Sequence, residues 1–538
     1  MRTFAFVVSI GLLASSVACG GLDENVEAGT SPGELVAGAT VETSAGSLRG
    51  TAAGDARAFL GVPFAAPPVG ALRWRAPVPP ARWSGVRAAD RMPPKCAQID
   101  ARTDAVVGSE DCLYLNVWTP RTGGGSRPVM VFVHGGGNVG GSSSEVMAGV
   151  PLYDGARLAA REDAIVVTVQ YRLNVLGFFG APALSDEAPE KASGNYGLLD
   201  QIAALRWVKE NIQAFGGDPR RVMLFGESGG GTDTCALFAS PLARGLFSSA
   251  LVQSGGCDGV PPARVAAWRE SFVSASRCAP SDLACLRARS TEDVVRAGSA
   301  SAIVGGLVRT PAGPNVDGHV LPDTPIHLIE AGRHNHVPIV LGANRDETAG
   351  ALFKVPPIVT AEMYLRFLAA TFGPHADRVR AFYPLVAFST PREALVAVTS
   401  DSQFICPTRR YARAIAQSQS EPVYRYFYTH TMAGSAAARA MGAAHGLELF
   451  LVFQKMGEME GYRPTPSDLA LEGAIGGYWR RFAATGDPNG GGAPFWPAYR
   501  AATDPYLDLG TPPVAASSLY PLRCDLWEDL WGQLGPEP

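Results

Sequence analysis

Charge is sparse in this chain and it is not segregated. Asp, Glu, Lys and Arg make up only 18% of the 538 residues, and 46 basic against 50 acidic side chains leave a formal net charge of −4. The Lys and Arg are scattered, so no basic stripe offers itself to nucleic acid. No internal repeat is visible, and the 61 Gly and 42 Pro are spread along the chain, which excludes a low-complexity sequence. Beyond the N-terminal apolar run, no segment has the roughly 20 apolar residues of a membrane span. With 46% hydrophobic residues the chain can bury a large core, and its length alone points to several domains.

The N-terminus reads as an export signal over residues 1–18. Arg2 precedes the apolar run from Phe4 to Ala18, and Ser16, Val17 and Ala18 supply small residues for cleavage. Cys19 follows, then Gly20 and Gly21, as in a bacterial lipoprotein box, although Ser16 stands where such boxes usually have Leu. Lipidation of Cys19, which would be the one membrane attachment, and plain secretion both fit. Residues 19–38 suit a flexible tether. Export permits disulfides, and setting Cys19 aside leaves eight of the nine cysteines. Cys96 and Cys112 flank one loop, Cys278 and Cys285 close a shorter one, and Cys406 and Cys524 lie far apart. Spacing alone leaves their connectivity open.

From Arg127 onward, apolar runs alternate with helical patterns. PVMVFVH (128–134), AIVVTVQY (164–171), RVMLF (221–225) and GLFSSALVQSG (245–255) read as buried strands, and PIVLGANRDE (338–347) and VYRYFYT (423–429) as later ones. Between them, residues 198–214 place Leu198, Ile202, Leu205, Val208 and Ile212 on one helical face. The alternation predicts an α/β fold with a mostly parallel sheet covered on both faces, with ligands gathering beyond the carboxyl ends of the strands.

The third strand runs into GESGG (226–230), a G-x-S-x-G between strand and helix. Glycines at 226 and 230 are expected there because Cβ atoms would collide where strand and helix approach. A phosphate loop would need Lys before Ser or Thr, whereas Thr232 and Asp233 follow the glycines, and an acid there repels phosphate. A serine nucleophile needs a base and an orienting carboxylate, in the chain order Ser, acid, His. Asp346 and Glu347 directly follow a strand and are the candidate acids. Among the eight histidines, His134 precedes the serine, and His319, His327, His334 and His336 come too early. His375 has no strand leading into it and His430 ends one. His445, in a small-residue loop before an apolar helix, is preferred as the base. The loop HGGGN (134–138) after a buried strand matches those whose N–H groups face a developing oxyanion. A histidine base predicts that activity falls near or somewhat below neutral pH.

These motifs resemble the type-B carboxylesterases, the carboxylesterase/cholinesterase group of the α/β-hydrolase fold. The resemblance rests on SEDCLYLNVWTP (109–120), VFVHGGG (131–137), YRLNVLGF (171–178), the long segment 194–230, LVQSG (251–255), GANRDET (342–348) and HGLELFLVF (445–453). It implies one elaborated domain over 39–538, not several, acting on a small-molecule ester with no cofactor or metal. Ser228 would be the nucleophile, Glu347 the acid and His445 the base, with the N–H groups of Gly136, Gly137 and Gly229 forming the oxyanion hole. It further implies disulfides Cys96–Cys112, Cys278–Cys285 and Cys406–Cys524, leaving Cys235 and Cys257 free. Arg73–Glu110 and Arg172–Asp200 would be buried ion pairs near the site, and loops 256–275 and 300–315 would shape the acyl and alcohol pockets.

The departures from the family pattern are specific. Gly229 stands where relatives have Ala after the nucleophile. The first cysteine loop has no aromatic residue, whereas cholinesterases place there a Trp that binds quaternary ammonium. That argues against a choline-ester specialist and leaves Glu227, an acid near the choline site in those relatives, without a clear role. A non-catalytic adhesion or binding member of the fold, and a hydrolase of bulky esters or polyesters, are the alternatives to a generalist carboxylesterase.

Overall fold

Every residue of Arg127–Val133 is buried, as a strand covered on both faces requires. Its odd and even side chains enter different cores: Val129, Val131 and Val133 join one cluster, Met130 and Phe132 another. The computed structural model describes residues 40–122, 125–299, 303–304, 307–308, 310–350 and 353–534. The expected signal, Cys19 and tether lie outside the described residues.

Among the described residues, eleven strands form one sheet. In chain order they are β1 (Thr51–Ala53), β2 (Ala56–Pro63), β3 (Tyr114–Pro120), β4 (Arg127–Val133), β5 (Ile165–Val169) and β6 (Gly217–Glu227). They continue with β7 (Ser249–Gln253), β8 (Ile339–Asn344), β9 (Val423–Tyr428), β10 (Pro505–Asp508) and β11 (Val514–Ser517). The spatial order is β11-β10-β9-β8-β7-β6-β4-β5-β3-β2-β1. From β5 across to β10 every neighbouring pair is parallel. The pairs outside that block are antiparallel. The six expected strands are β4 to β9 of the parallel block; β10, its last member, and the antiparallel β1, β2, β3 and β11 were not expected.

Helix α1 (Tyr196–Asn211) lays Leu198, Ile202, Leu205 and Val208 on one face of the sheet. It ends earlier than the expected 214, in a 3-10 turn over Ile212–Phe215 that Gly216 stops at φ 86°. Helix α2 (Gly229–Ala239) packs on the same face. Helix α4 (Pro466–Thr485) covers the other face with Leu471, Ile475, Trp479 and Phe482. A third core packs residues 353–406, up to the first residue of α3 (Cys406–Ser418), against α5 (Pro521–Leu534).

Cys96–Cys112, Cys278–Cys285 and Cys406–Cys524 are joined. Cys235 and Cys257, expected free, are joined as well. The reason is topological: β6 and β7 are parallel neighbours, so α2, which leaves β6, lies over the segment that leaves β7. The two α carbons are 5.5 Å apart, within the range a disulfide spans.

Both expected ion pairs are present and buried. Arg73 Nε donates to Glu110 Oε2 at 2.8 Å, and Arg172 grips Asp200 with Nε at 2.8 Å and Nη2 at 2.7 Å. Asp200 also accepts from the Arg172 backbone N–H at 3.0 Å, tying the chain after β5 to α1. Arg172→Met should therefore strand a buried carboxylate and cost about 3–5 kcal/mol, read as a lower denaturant midpoint; an unchanged midpoint would contradict this.

Candidate active site

Strand β6 passes into α2 through a single residue, Ser228. Its φ of 58° and ψ of −123° place it where a residue with a side chain costs about 1–3 kcal/mol. The turn is held by the Ser228 N–H, which donates to Gln253 O at the end of β7 at 2.9 Å. It is also packed too tightly for side chains. A Cβ on Gly226 would stand 2.3 Å from Gly230 O, and one on Gly230 would stand 2.1 Å from Val133 O.

That second contact brings the loop after β4 against the turn. Gly136, Gly137 and Asn138 have φ of 107°, 60° and 59°, a left-handed run that glycine makes cheap. His134 at its root is buried and stacked on Tyr171 at 4.5 Å, and burial lowers its pKa to about 4, so it is a neutral packing residue. Gly229 faces the loop directly: a Cβ there would lie 2.8 Å from Gly137 N and 3.0 Å from Asn138 N. With Ala in its place this separation could not persist.

The two adjacent acids after β8 have separate tasks. Asp346 pairs with Arg345 at 2.7 Å and accepts from Ala443 N at 2.9 Å, anchoring the loop before His445. Glu347 is fully buried, and its Oε1 accepts from Ser254 Oγ at 2.6 Å and Asn344 N at 2.7 Å. Its Oε2 meets His445 Nδ1 at 2.5 Å. The expected helix after His445 is a single turn, Leu449–Val452. The ring itself is clamped by Phe353 and Phe404, each 5.1 Å away. His430 lies elsewhere, bonded to Asp468 at 2.6 Å and Thr511 at 2.9 Å.

Two further carboxylates crowd this imidazole. Glu227 Oε1 lies 3.0 Å from His445 Nε2, yet neither atom has a directed hydrogen bond among the described residues, which leaves Nε2 able to take another partner. Glu448 accepts from Asn344 Nδ2 at 2.5 Å and Gln253 Nε2 at 3.1 Å. Burial opposes a charged His445, but Glu227, Glu347 and Glu448 outweigh it and lift its pKa to about 9. Burial lifts Glu227 to about 8, against the pull of His445 and with help from Glu448 and Glu347. The expectation of titration near or below neutral pH thus moves upward. Ser254 and Glu448 carried no role in the sequence reading, although each sits inside a quoted segment, LVQSG and HGLELF.

Ser228 opens onto a cavity of about 190 Å³. Asn138 and Gly229 line it beside the serine, with Val260, Gly313, Phe404 and Tyr411 on its walls. These walls come from residues 256–264, from Leu307 and residues 310–314, inside the two loops expected to shape the pockets, and from residues 402–411 at the start of α3. Among the described residues no cluster of His, Cys, Asp and Glu is arranged to hold a metal ion.

A parallel sheet in this strand order, with a serine on the strained turn after β6, makes the fold an α/β hydrolase. The solved structure of PNB esterase matches it with a TM-score of 0.78 and 34% identity, covering 91% of this chain and 100% of that one. The chain belongs to the carboxylesterase family, whose model matches residues 37–527, and it is a carboxylic ester hydrolase. It is 36% identical to the fumonisin B1 esterase of Sphingopyxis macrogoltabida, over 85% of this chain and 84% of that protein. It is 33% identical to the cocaine esterase of Homo sapiens, over 98% and 96%.

The carboxylate cluster generates a direct test. In histidine-labelled protein, the His445 ring should titrate well above the ordinary imidazole value of about 6.5. Glu227→Gln removes a charge that favours the imidazolium and should lower that titration by about 1 unit or more; an upward shift, or none, would show that Glu227 does not act on His445.

Proposed function

We propose that Ser228, His445 and Glu347 carry ester hydrolysis through an acyl-enzyme. The Ser228 oxygen attacks the ester carbonyl carbon while its proton passes to His445 Nε2, and Glu347 holds Nδ1 and stabilises the imidazolium. The N–H groups of Gly136, Gly137 and Gly229 receive the oxyanion. The carbonyl–oxygen bond to the alcohol then breaks, and the alcohol leaves with the proton from His445. Water, giving its proton to His445, attacks the acyl carbon; the bond to Ser228 Oγ then breaks, His445 returns the proton to Oγ, and the acid leaves. These steps balance without a metal or organic cofactor. The reading rests chiefly on the buried Glu347–His445 contact, formed by residues in the order acyl-transfer chemistry in this fold uses.

The relatives are named for different substrates, so family membership supports ester hydrolysis rather than one ester. The cavity is smaller than the roughly 300–1,000 Å³ that holds drug-sized ligands, which favours a compact acyl group. The four disulfides support an oxidising compartment. Within the proposal, residues 1–18 direct export and Cys19 becomes the first residue of the mature chain.

A series of p-nitrophenyl esters from acetate to dodecanoate tests both parts. Wild type should hydrolyse the short esters fastest, and Ser228→Ala should lose nearly all turnover and all labelling by an organophosphate. Full activity in that variant would sink the assignment, and a wild type that takes up no organophosphate at Ser228 would mark a non-catalytic fold. Gly229→Ala should push the 136–138 loop outward and reduce kcat, by less than the about 10²–10³-fold of a lost oxyanion donor; unchanged kcat would mean that the close approach of that loop is without catalytic effect.

A further inference from the structure

The loop after β4 is held differently at its two ends. At the far end Gln98 clamps Gly141, donating to its carbonyl and accepting from its N–H, both at 2.8 Å. At the near end Gly137 and Asn138 rest against Gly229, a van der Waals contact that limits approach but secures nothing. The Asn138 side chain supplies the missing bond: its Nδ2 donates to Asp233 Oδ1 at 2.9 Å. Asp233 is fully buried in α2, the helix that begins immediately after Ser228. Its other oxygen accepts from Gln201 Nε2, on α1, at 2.6 Å. The Asn138 carbonyl in turn accepts from Asn174 N at 2.6 Å.

We infer that Asp233 is a positioning residue: through Asn138 it locks the amides of the 136–138 loop to the helix that carries Ser228, so both halves of the oxyanion site move as one body. The inference rests on the oxyanion role proposed above for that loop.

The chemistry of the group fits this task. An ionised carboxylate only accepts, so it dictates which way both amides face. The arrangement is costly, because Asn138 Oδ1 and Gln201 Oε1 are then buried without hydrogen-bond partners among the described residues. Burial also raises Asp233 to about 7, against the two amide donors. A simple filler of this space would carry neither cost. The two free amide oxygens have a consequence: if the group at 233 becomes a donor, either amide can turn and accept from it. The link therefore survives replacement of the carboxylate by an amide and fails when hydrogen bonding is removed.

The test uses the full enzyme with p-nitrophenyl butyrate and compares Asp233→Asn, Asp233→Leu, Asn138→Gly and the double variant D233L/N138G. Glycine suits the φ of 59° at position 138, so that change removes the side chain without adding backbone strain. Active sites are counted by organophosphate titration, so a variant that merely misfolds loses sites rather than turnover per site. Asp233→Leu and Asn138→Gly should each lower kcat by about 10–100-fold, short of the about 10²–10³ of an absent donor. KM should change by less than about twofold in both. The double variant should be no worse than the poorer single one, as expected when two residues act through one bond. Asp233→Asn should keep kcat within about threefold of wild type. Should Asp233→Leu not fold, Asn138→Gly decides the matter alone. Wild-type kcat per site in Asn138→Gly, or additive losses in the double variant, would overturn the inference. A wild type that is itself inert would refute the catalytic roles on which the inference rests, and so is distinguishable from its own failure.

Discussion

Backbone meets backbone where the turn at Ser228 crosses the end of β4, and the rest of the site depends on that contact. Carbonyl oxygens of Val133 and Gly230 occupy the places that side chains at 230 and 226 would need. Because no side chain separates them, the amides of the 136–138 loop come to lie beside the serine. The contact follows in turn from β4 and β6 being parallel neighbours in register, Phe132 beside Phe225 and Val133 beside Gly226. One residue of slip would carry the serine away from the loop and reverse the faces of the strand.

Around that contact the fold gathers carboxyl groups where water is excluded, and burial lifts Glu227 to about 8. Glu227, Glu347 and Glu448 all lie against or near His445, and each is buried. Such a cluster is tolerable because its members are not equivalent. Glu347 is satisfied by Ser254, Asn344 and His445, and Glu448 by Asn344 and Gln253. Glu227 has the imidazole as its nearest counter-charge. On the proposed mechanism, the expected gain is an imidazolium that forms readily when a serine proton arrives, and the expected cost is a base that stays protonated to higher pH than an isolated histidine.

How much of this was legible in the sequence depended on how local each constraint is. Ser228, Glu347 and the 134–138 loop each follow directly on an apolar strand, so short segments announced them. The parallel block was equally readable, because strands buried on both faces are continuous apolar runs. Strands β2 and β3, eight and seven residues long, escaped because polar residues such as Arg57, Asn116 and Thr119 interrupt their apolar runs, and β1, β10 and β11 because they are only three or four residues long. The Asn138–Asp233 bond spans 95 residues of sequence and the Gln253–Glu448 bond 195, and no local pattern marks either. Asp233 entered the sequence reading solely as an acid unfit for a phosphate loop. The family template set Cys235 and Cys257 apart, whereas the even number of cysteines after Cys19 was the better guide.

The cavity wall has a property of its own. The segment after β7 is rooted by Cys257 to α2, and the 310–315 segment is rooted by Asn315 to Gly194 and Asn195. Between those roots the two segments support each other, Val260 N donating to Pro314 O at 2.8 Å. The wall is thus an insert bolted at its edges to a frame whose reactive groups belong to other strands. Residues such as Val260, Thr310 and Ala312 can be exchanged without disturbing the bonds that hold Ser228 or His445. Such a division lets a lineage wander among esters while its chemistry stands still.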